Sequence, residues 1–209
     1  GDMPTCLGNI HAACTPVYKA DRIPVLLGGE HSLSLAPVQA LLDLRQDFGV
    51  VQLDAHADLR DTYEQSPDSH ACVMRRIHEL GVPIFQIGVR NLCLEEVDYR
   101  ATHKVPYLDA RELYQQGIPD TVLPEDFPKN IYLTFDIDGF DSSLMPATGT
   151  PEPGGLDWWQ ALALCENVAK NRRILGLDVV ELAPRDEFHA CSYTAAKLAY
   201  ALMGIAARH

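Results

Sequence analysis

The sequence has no long apolar run and no paired cysteines. No segment holds the roughly 18 consecutive apolar residues of a membrane-spanning helix, and no basic stretch followed by an apolar one marks a signal peptide. The six cysteines are scattered without a C-x-x-C pair, which argues against a zinc knuckle and a disulfide framework. We therefore expect a protein without a membrane span, in the reducing environment of the cytoplasm.

Clusters of positive charge are also scarce. The formal net charge is -12, and Lys and Arg stand side by side only at Arg75-Arg76 and Arg172-Arg173. Because phosphate binding needs clustered basic residues, a nucleic-acid partner is disfavoured. An acidic protein suits a cationic ligand better, although many enzymes are acidic for solubility alone.

The sequence does contain a regular alternation of strand and helix patterns. With 47% hydrophobic and 22% charged residues, it fits a single globular domain over residues 1–209. Apolar runs predict strands buried on both faces at residues 23–27, 49–53, 83–87, 131–135 and 174–180, with a weaker sixth at 105–108. Helical patterns lie at residues 35–44, 70–80, 95–102, 157–170 and 193–207, with Asp157 and Gln160 as a capping pair. This alternation predicts an α/β fold, a three-layer αβα sandwich with a mostly parallel sheet.

Three residues that can bind a metal follow the second predicted strand. Asp54, His56 and Asp58 alternate along the chain directly after residues 49–53. Alternate side chains of an extended strand point the same way, so the three converge if the chain stays extended past the sheet edge. Carboxylates with one imidazole suit manganese or a related divalent cation. The alternative interpretation is that the acids cap the strand end and His56 is an ordinary surface residue.

Further candidate ligands follow two other predicted strands. Asp136 and Asp138 come after residues 131–135, and His31 follows two glycines that we expect to let the backbone turn tightly. Doubly wound sheets bind ligands beyond the carboxyl ends of their strands, where all these residues fall. Carboxylates gathered there would repel one another without cations. Taken singly, each residue has a simpler interpretation as a turn, cap or helix-start residue.

Together these segments resemble the three signature motifs of the ureohydrolase family, which includes arginases, agmatinases, guanidinobutyrases and formimidoylglutamases. The motifs are Gly-Gly-Glu-His-Ser at 28–32, Asp-Ala-His-Ala-Asp at 54–58 and Phe-Asp-Ile-Asp-Gly at 135–139. The similarity continues through residues 69–71, 147–155 and 176–181, so it covers most of the chain. Residues 146–155 are rich in Pro and Gly, and we interpret them as an active-site loop.

The resemblance implies a binuclear manganese site, with two Mn2+ per chain, that hydrolyses a guanidino group and releases urea. The implied ligands are His31, Asp54, His56, Asp58, Asp136 and Asp138. Asp58 is also expected to act in catalysis. Glu181 matches the carboxylate that grips the planar guanidinium, and His70 matches the histidine that protonates the leaving amine. Asp178 resembles an acid that supports the metal ligands, and Thr150 resembles a residue that hydrogen-bonds the reacting group.

The motif details favour agmatine as the substrate, converted to putrescine and urea in polyamine biosynthesis. Arginases typically have Asn two residues after the last acid of the second motif, where this chain has Arg60. Agmatine has no α-carboxylate, so the loss of that Asn costs nothing. Arg60 is a candidate substrate contact that keeps 4-guanidinobutyrate or another guanidino acid open, and arginine is a further alternative.

Two other classes are disfavoured. A zinc deacetylase shares this fold, but the complete second-metal set, including His31 and Asp138, is present here. A catalytically inactive homologue is disfavoured because no implied ligand is replaced. Family chains usually carry a further segment before the first motif, so we expect this chain to lack its N-terminal part. The resemblance also implies a small cationic guanidino substrate and a homo-oligomer, a trimer or hexamer.

Overall fold

A single parallel sheet organises the computed structural model, which describes residues 2–208. Its strands are β1 Val25–Leu27, β2 Gly49–Leu53, β3 Ile84–Ile87, β4 Tyr107–Leu108, β5 Asn130–Asp136 and β6 Arg173–Val180. They lie in the order β1-β6-β5-β2-β3-β4, and each neighbouring pair is parallel. The predicted strands, including the weaker sixth, are confirmed.

Seven helices pack around the sheet within the described residues. They are α1 Met3–Lys19, α2 Leu35–Asp43, α3 Val73–Glu79, α4 Leu94–His103, α5 Ala110–Gln116, α6 Trp158–Ala169 and α7 His189–Ala206. The predicted capping pair is confirmed at the start of α6, where Asp157 Oδ1 accepts from Gln160 N at 2.8 Å and Gln160 Oε1 accepts from Asp157 N at 2.9 Å. Within residues 2–208, no helix is both long and apolar enough to cross a membrane.

The sequence analysis missed α1 and α5. Helix α1 contains Pro16 and also Pro4 in its first turn, which obscure a helical pattern. Helix α5 has only seven residues, too few for a clear periodicity. The sequence signal for this helix was the capping pair Asp109 and Glu112, in which Asp109 N donates to Glu112 Oε2 at 3.1 Å.

Helices cover both faces of the sheet, because alternate strand residues point to opposite sides. On one face, Leu133 and Phe135 of β5 belong to a core that includes Leu164 of α6 and residues of α5 and α7. On the other face, Tyr132 belongs to a second core that includes Met74 of α3 and residues of α1, α2 and α4. The αβα sandwich is therefore confirmed.

The strand order places a topological switch point between β2 and β5. From β2 the chain proceeds through β3 to the β4 edge, and from β5 it proceeds through β6 toward the β1 edge. Connections that leave two adjacent strands in opposite directions open a crevice beyond their carboxyl ends. The predicted ligands that follow β2 and β5 therefore lie at this crevice.

Candidate metal centre

The ends of β1, β2 and β5 bring one histidine and three carboxylates together. His31, which begins a short 3-10 turn after β1, is fully buried. Its Nδ1 lies 3.2 Å from Asp54 Oδ2, 3.0 Å from Asp58 Oδ2 and 3.4 Å from Asp136 Oδ2. His31, Asp54 and Asp58 are close enough together to hold a metal ion.

A second group lies beside the first and shares one residue with it. Asp54, His56 and Asp138 also have the spacing of a metal site. His56 Nδ1 lies 3.0 Å from Asp138 Oδ2 and 3.6 Å from Asp54 Oδ1. Because Asp54 turns Oδ2 to the first group and Oδ1 to the second, its carboxylate is placed to bridge two cations.

The backbone geometry behind this convergence differs from the predicted extended segment. Strand β2 ends at Leu53, and Asp58 has a φ of 53°, in the left-handed region. An extended segment would have separated Asp58 from Asp54 by about 13 Å at roughly 3.3 Å per residue. The chain turns back after β2 instead, and a strained, non-glycine conformation of this kind is typical of functional sites.

The two glycines before His31 also act differently from the prediction. Neither Gly28 nor Gly29 has a positive φ. A Cβ at Gly28 would overlap the side chain of Leu33 and lie 3.2 Å from Val180 Cγ1. Gly28 is therefore needed for the close packing of the turn against β6, rather than for a left-handed backbone.

A chain of hydrogen bonds aims His31 at the carboxylates. His31 Nε2 lies 2.8 Å from Thr134 Oγ1, which donates to Asp178 Oδ1 at 2.6 Å. Asp178 also accepts from Ser34 Oγ and Tyr132 OH, each at 2.7 Å. Thr134 therefore connects Asp178 to His31.

Burial controls the protonation of the carboxylates. Asp54, Asp136 and Asp138 are at most 3% exposed. Burial and neighbouring carboxylates raise the pKa of Asp136 well above its usual value and also raise that of Asp138. Burial and the charge of Asp54 raise the pKa of Asp58 to about 7. A full set of negative charges is not tolerated out of water unless cations neutralise it.

The pKa values of the two histidines are raised as well, which favours their charged form. Burial lowers the pKa of His56, but hydrogen bonds to Asp138 and Asp54 outweigh it and raise the value to about 11. Burial also lowers the pKa of His31, but the carboxylates of Asp136, Asp54 and Asp58 close to its Nδ1 outweigh burial and raise the pKa well above its usual range. Both shifts favour a positively charged imidazolium beside the carboxylates.

The donor atoms fit divalent cations. His31 Nδ1 is buried, and three carboxylate oxygens lie within 3.4 Å of it. None of these contacts has the geometry of a hydrogen bond, and Nδ1 has no other partner among residues 2–208. An orphaned buried nitrogen surrounded by oxygens is satisfied when all of them bind one ion. Several carboxylates with one imidazole per group suit manganese and related hard cations.

Beside the second group a cavity of about 170 Å³ opens to the surface. Its lining residues are His56, Asp58, Arg60, Tyr63, His70, Ala71, Asn91, Glu96 and Thr150. The guanidinium of Arg60 lies 5.3 Å from the centre of the Tyr63 ring. Thr150 Oγ1 donates to Asp138 Oδ2 at 3.0 Å, so the predicted loop reaches a candidate ligand.

The sequence analysis missed Arg90, which fixes this loop to the metal centre. Its Nη2 donates to the carbonyl oxygens of Asp138 at 2.7 Å and Glu152 at 2.8 Å, and its Nε donates to that of Pro153 at 3.0 Å. One planar guanidinium can serve several carbonyls at once because it carries five N–H donors. Nothing in the sequence around Arg90 indicated these distant partners.

His70 and Glu181 flank His31 from different elements. Glu30 Oε1 accepts from His70 N at 2.5 Å and lies 3.1 Å from His70 Nδ1. The hydrogen bond to Glu30 raises the pKa of His70, although burial opposes it. Glu181 has a φ of 65°, and its Oε1 accepts from His31 N at 2.6 Å. Burial raises the pKa of Glu181.

Comparison of the sequence with known proteins identifies one family and several relatives named as ureohydrolases or agmatinases. A sequence model of the arginase family matches residues 1–204. An N(1)-aminopropylagmatine ureohydrolase of Thermococcus kodakarensis is 42% identical over 210 aligned positions, which cover 100% of this chain and 71% of that protein. An agmatinase of Pyrococcus horikoshii is 39% identical over 186 positions, which cover 89% of this chain and 64% of that protein.

Solved structures share the fold. The crystal structure of agmatine ureohydrolase of Thermoplasma volcanium has a TM-score of 0.87 and 31% sequence identity, and the match covers 98% of this chain and 69% of that one. This chain spans 62% to 71% of the length of the first three curated relatives.

Replacing the shared carboxylate should abolish binding at both metal groups. In Asp54→Asn, one carboxylate oxygen is replaced by an NH2 group that cannot bind a cation, and the negative charge is lost, so we expect less than one bound metal per chain. The measurement is metal content after loading with Mn2+ and dialysis. Asp157→Asn is the matched control, because it removes an exposed carboxylate and leaves a good helix cap. Two metals retained by Asp54→Asn would contradict the bridging position.

Proposed function

Because this chain belongs to the arginase family, as the match over residues 1–204 shows, we propose that it hydrolyses the guanidino group of a small cationic substrate to urea and an amine. Agmatine is the first candidate substrate. N1-aminopropylagmatine is the second, since it appears in the name of the Thermococcus relative. The observation that carries the proposal is the Asp54 carboxylate, shared by two groups of candidate ligands.

The six predicted ligands would hold the metal pair, which we propose to be manganese. Asp54 faces both positions, His31 and Asp58 belong to the first, and His56 and Asp138 belong to the second. The sixth, Asp136, has Oδ2 3.4 Å from His31 Nδ1 and so lies beside the first position. When bound, such a pair lowers the pKa of a water molecule and stabilises negative charge that develops during attack. Five of the six residues are buried and His56 is partly exposed, and hydrogen bonds to the carboxylates support a fixed geometry for that chemistry.

Glu181 is proposed to bind the guanidinium group. One of its oxygens already accepts from His31 N at 2.6 Å, so the carboxylate is fixed beside the first metal group. A carboxylate pairs with a planar guanidinium through parallel hydrogen bonds, which also orients the carbon that is attacked. Burial raises the pKa of Glu181. A bound guanidinium would lower that pKa again, because its positive charge stabilises the ionised carboxylate.

His70 is proposed to supply a proton to the leaving amine. It lies in the cavity lining, and the contact of its Nδ1 with Glu30 leaves Nε2 available to the substrate. Because Glu30 raises the pKa of His70, a larger fraction of the imidazole is protonated near neutral pH. A group that donates a proton in this range is an effective general acid.

Arg60 favours one alternative substrate class. It lies at the cavity and, within residues 2–208, makes no ion pair, so its charge is available to a ligand. A guanidino acid such as 4-guanidinobutyrate would place its carboxylate near this side chain if its guanidinium met Glu181. The cationic tail of agmatine would have no favourable charge interaction with Arg60.

Assembly as a trimer or hexamer stays a prediction.

A substrate panel tests the proposed activity directly. Manganese-loaded protein is incubated with agmatine, N1-aminopropylagmatine, 4-guanidinobutyrate and arginine, and urea is measured for each. We expect urea from agmatine or its aminopropyl derivative, with the highest kcat/KM for one of them. Urea from 4-guanidinobutyrate alone would support the Arg60 alternative. No urea from any of the four, despite bound metal, would contradict the proposed function.

Glu181→Gln should separate catalysis from metal binding. Glu181 belongs to neither metal group, so the variant should retain its metals. We expect kcat/KM to fall at least about 30-fold, since leaving a buried charge unpaired costs about 2–5 kcal/mol. Glu187→Gln, the same change at an exposed position, is the control. Unchanged kcat/KM in Glu181→Gln would overturn its assignment as the guanidinium ligand.

The contact with Glu30 predicts a pH effect on His70. Glu30→Gln removes the charge that stabilises the imidazolium, so the pKa of His70 should fall, and the proton should be lost at lower pH than in the wild type. An NMR titration of the histidine resonances measures this. His78, whose pKa is lowered mainly by burial, is the internal control and should not change. An unchanged His70 titration would refute the role of Glu30.

A further inference from the structure

We propose that Arg100, Gln86 and Gln52 form a buried hydrogen-bond relay that positions the carboxylate of Asp54 to bridge two metal ions. The inference rests on the proposed metal centre and adds three positioning residues that lie outside the ligand set. None of them belongs to the signature motifs of the sequence.

The relay is continuous from helix α4 to the metal centre. Arg100 Nε donates to Gln86 Oε1 at 2.8 Å, and Gln86 Nε2 donates to Gln52 Oε1 at 2.5 Å. Gln52 Nε2 then donates to Asp54 Oδ2 at 2.7 Å. At its far end, Arg100 Nη1 is held by both carboxylate oxygens of Asp109 at 3.0 and 3.1 Å. The sheet places the two amides side by side, because Gln52 of β2 and Gln86 of β3 are register partners.

Arginine fixes the direction of every bond in this relay. A guanidinium can only donate hydrogen bonds, so Gln86 must turn its carbonyl oxygen to Arg100 and its NH2 group to Gln52. Gln52 must then accept with its own oxygen and present its NH2 group to Asp54. The second N–H of Gln86 donates to the carbonyl oxygen of Ala57 at 2.6 Å, which reinforces the same orientation. The amide that faces Asp54 is therefore a donor by construction.

The relay acts on the residue that most needs a fixed orientation. Asp54 Oδ2 accepts from Gln52 and faces His31, whereas Asp54 Oδ1 accepts from His56 N at 2.6 Å and faces the second group. With one donor on each oxygen, rotation of the carboxylate would break both hydrogen bonds. Gln52 is neutral, so it orients Asp54 without adding charge to the cluster.

The burial of these amides indicates that they do more than fill space in the core. Gln52 and Gln86 are fully buried, and Arg100 is 6% exposed. Their strand neighbours on the same face, Val50 and Ile84, are ordinary members of the apolar core. Burying polar side chains carries a desolvation cost that apolar residues would avoid, and the hydrogen bonds of the two amides offset that cost. Arg100 Nη2 has no hydrogen-bond partner among residues 2–208, and the Arg100 guanidinium lies 4.5 Å from the centre of the Tyr107 ring. Because the network ends on Asp54, its contribution would be to hold that carboxylate in the orientation that metal binding needs.

Metal affinity of two single variants and their combination tests the relay. Gln52→Leu removes the donor to Asp54. Gln86→Glu still accepts from Arg100 but offers no N–H, so the Gln52 amide is expected to turn its oxygen toward Asp54. Metal-free wild type and variants are titrated with Mn2+ by calorimetry, which does not depend on turnover. We expect affinity for the bridged pair to fall about 10- to 100-fold in each single variant. Because Gln86 acts through Gln52, the double variant should bind no more weakly than Gln52→Leu alone.

A matched control separates positioning from general destabilisation. Arg172 is also buried and donates to backbone carbonyls of Asn171 and Pro124, at the opposite end of the sheet. Arg172→Met should lower the melting temperature but leave the Mn2+ affinity unchanged. Wild-type affinity in Gln86→Glu, or additive losses in the double variant, would overturn the relay. No Mn2+ binding by the wild type would instead overturn the metal centre itself.

Discussion

Repulsion among four carboxylates held out of water at one sheet edge is the constraint on which the rest of this structure depends. Asp54, Asp58, Asp136 and Asp138 are each at most 4% exposed. The raised pKa values of Asp58, Asp136 and Asp138 reflect the cost of charging neighbouring acids in a poorly polarisable medium. Two features offset that cost. The neighbouring histidines favour a positive charge, to which bound metal ions would add, and backbone or amide N–H groups donate to the carboxylate oxygens.

The sheet is asymmetric because it must supply those donors. On the face toward α5, α6 and α7, its central strands carry only apolar side chains in the described core. On the face toward α1 to α4, polar residues form two rows. One runs from Asp178 through Thr134 to His31, and the other leads through Gln52 to Asp54. Each row ends on a different candidate ligand, so the positions of imidazole and carboxylate are set independently.

The sequence predicted the strands, and which candidate ligands follow them, better than the contacts that hold those residues in place. The strands could be predicted because buried parallel strands appear as apolar runs, and acidic residues directly after such runs are easily recognised as candidate ligands. The left-handed backbone conformation of Asp58 could not be predicted from the sequence, because it depends on contacts with distant segments. Arg100 reaches its partners only through tertiary packing. The one local signal for the relay was a Gln at the same position in two neighbouring apolar runs, at Gln52 and Gln86.

In the proposed function, the guanidinium group and the remainder of the substrate contact different structural elements. The proposed guanidinium ligand Glu181 follows a central strand and is bonded to the backbone of His31, so its position is tied to that of the metal ligands. Arg60, Tyr63 and Thr150 lie instead on loops around the cavity mouth. A change in those loops alters the contacts of a substrate tail and leaves the buried rows intact. Relatives with 42% and 39% identity carry the names of two different guanidino substrates. Discrimination among such substrates is therefore expected to depend on a few rim residues, since the shared centre recognises only the group that they have in common.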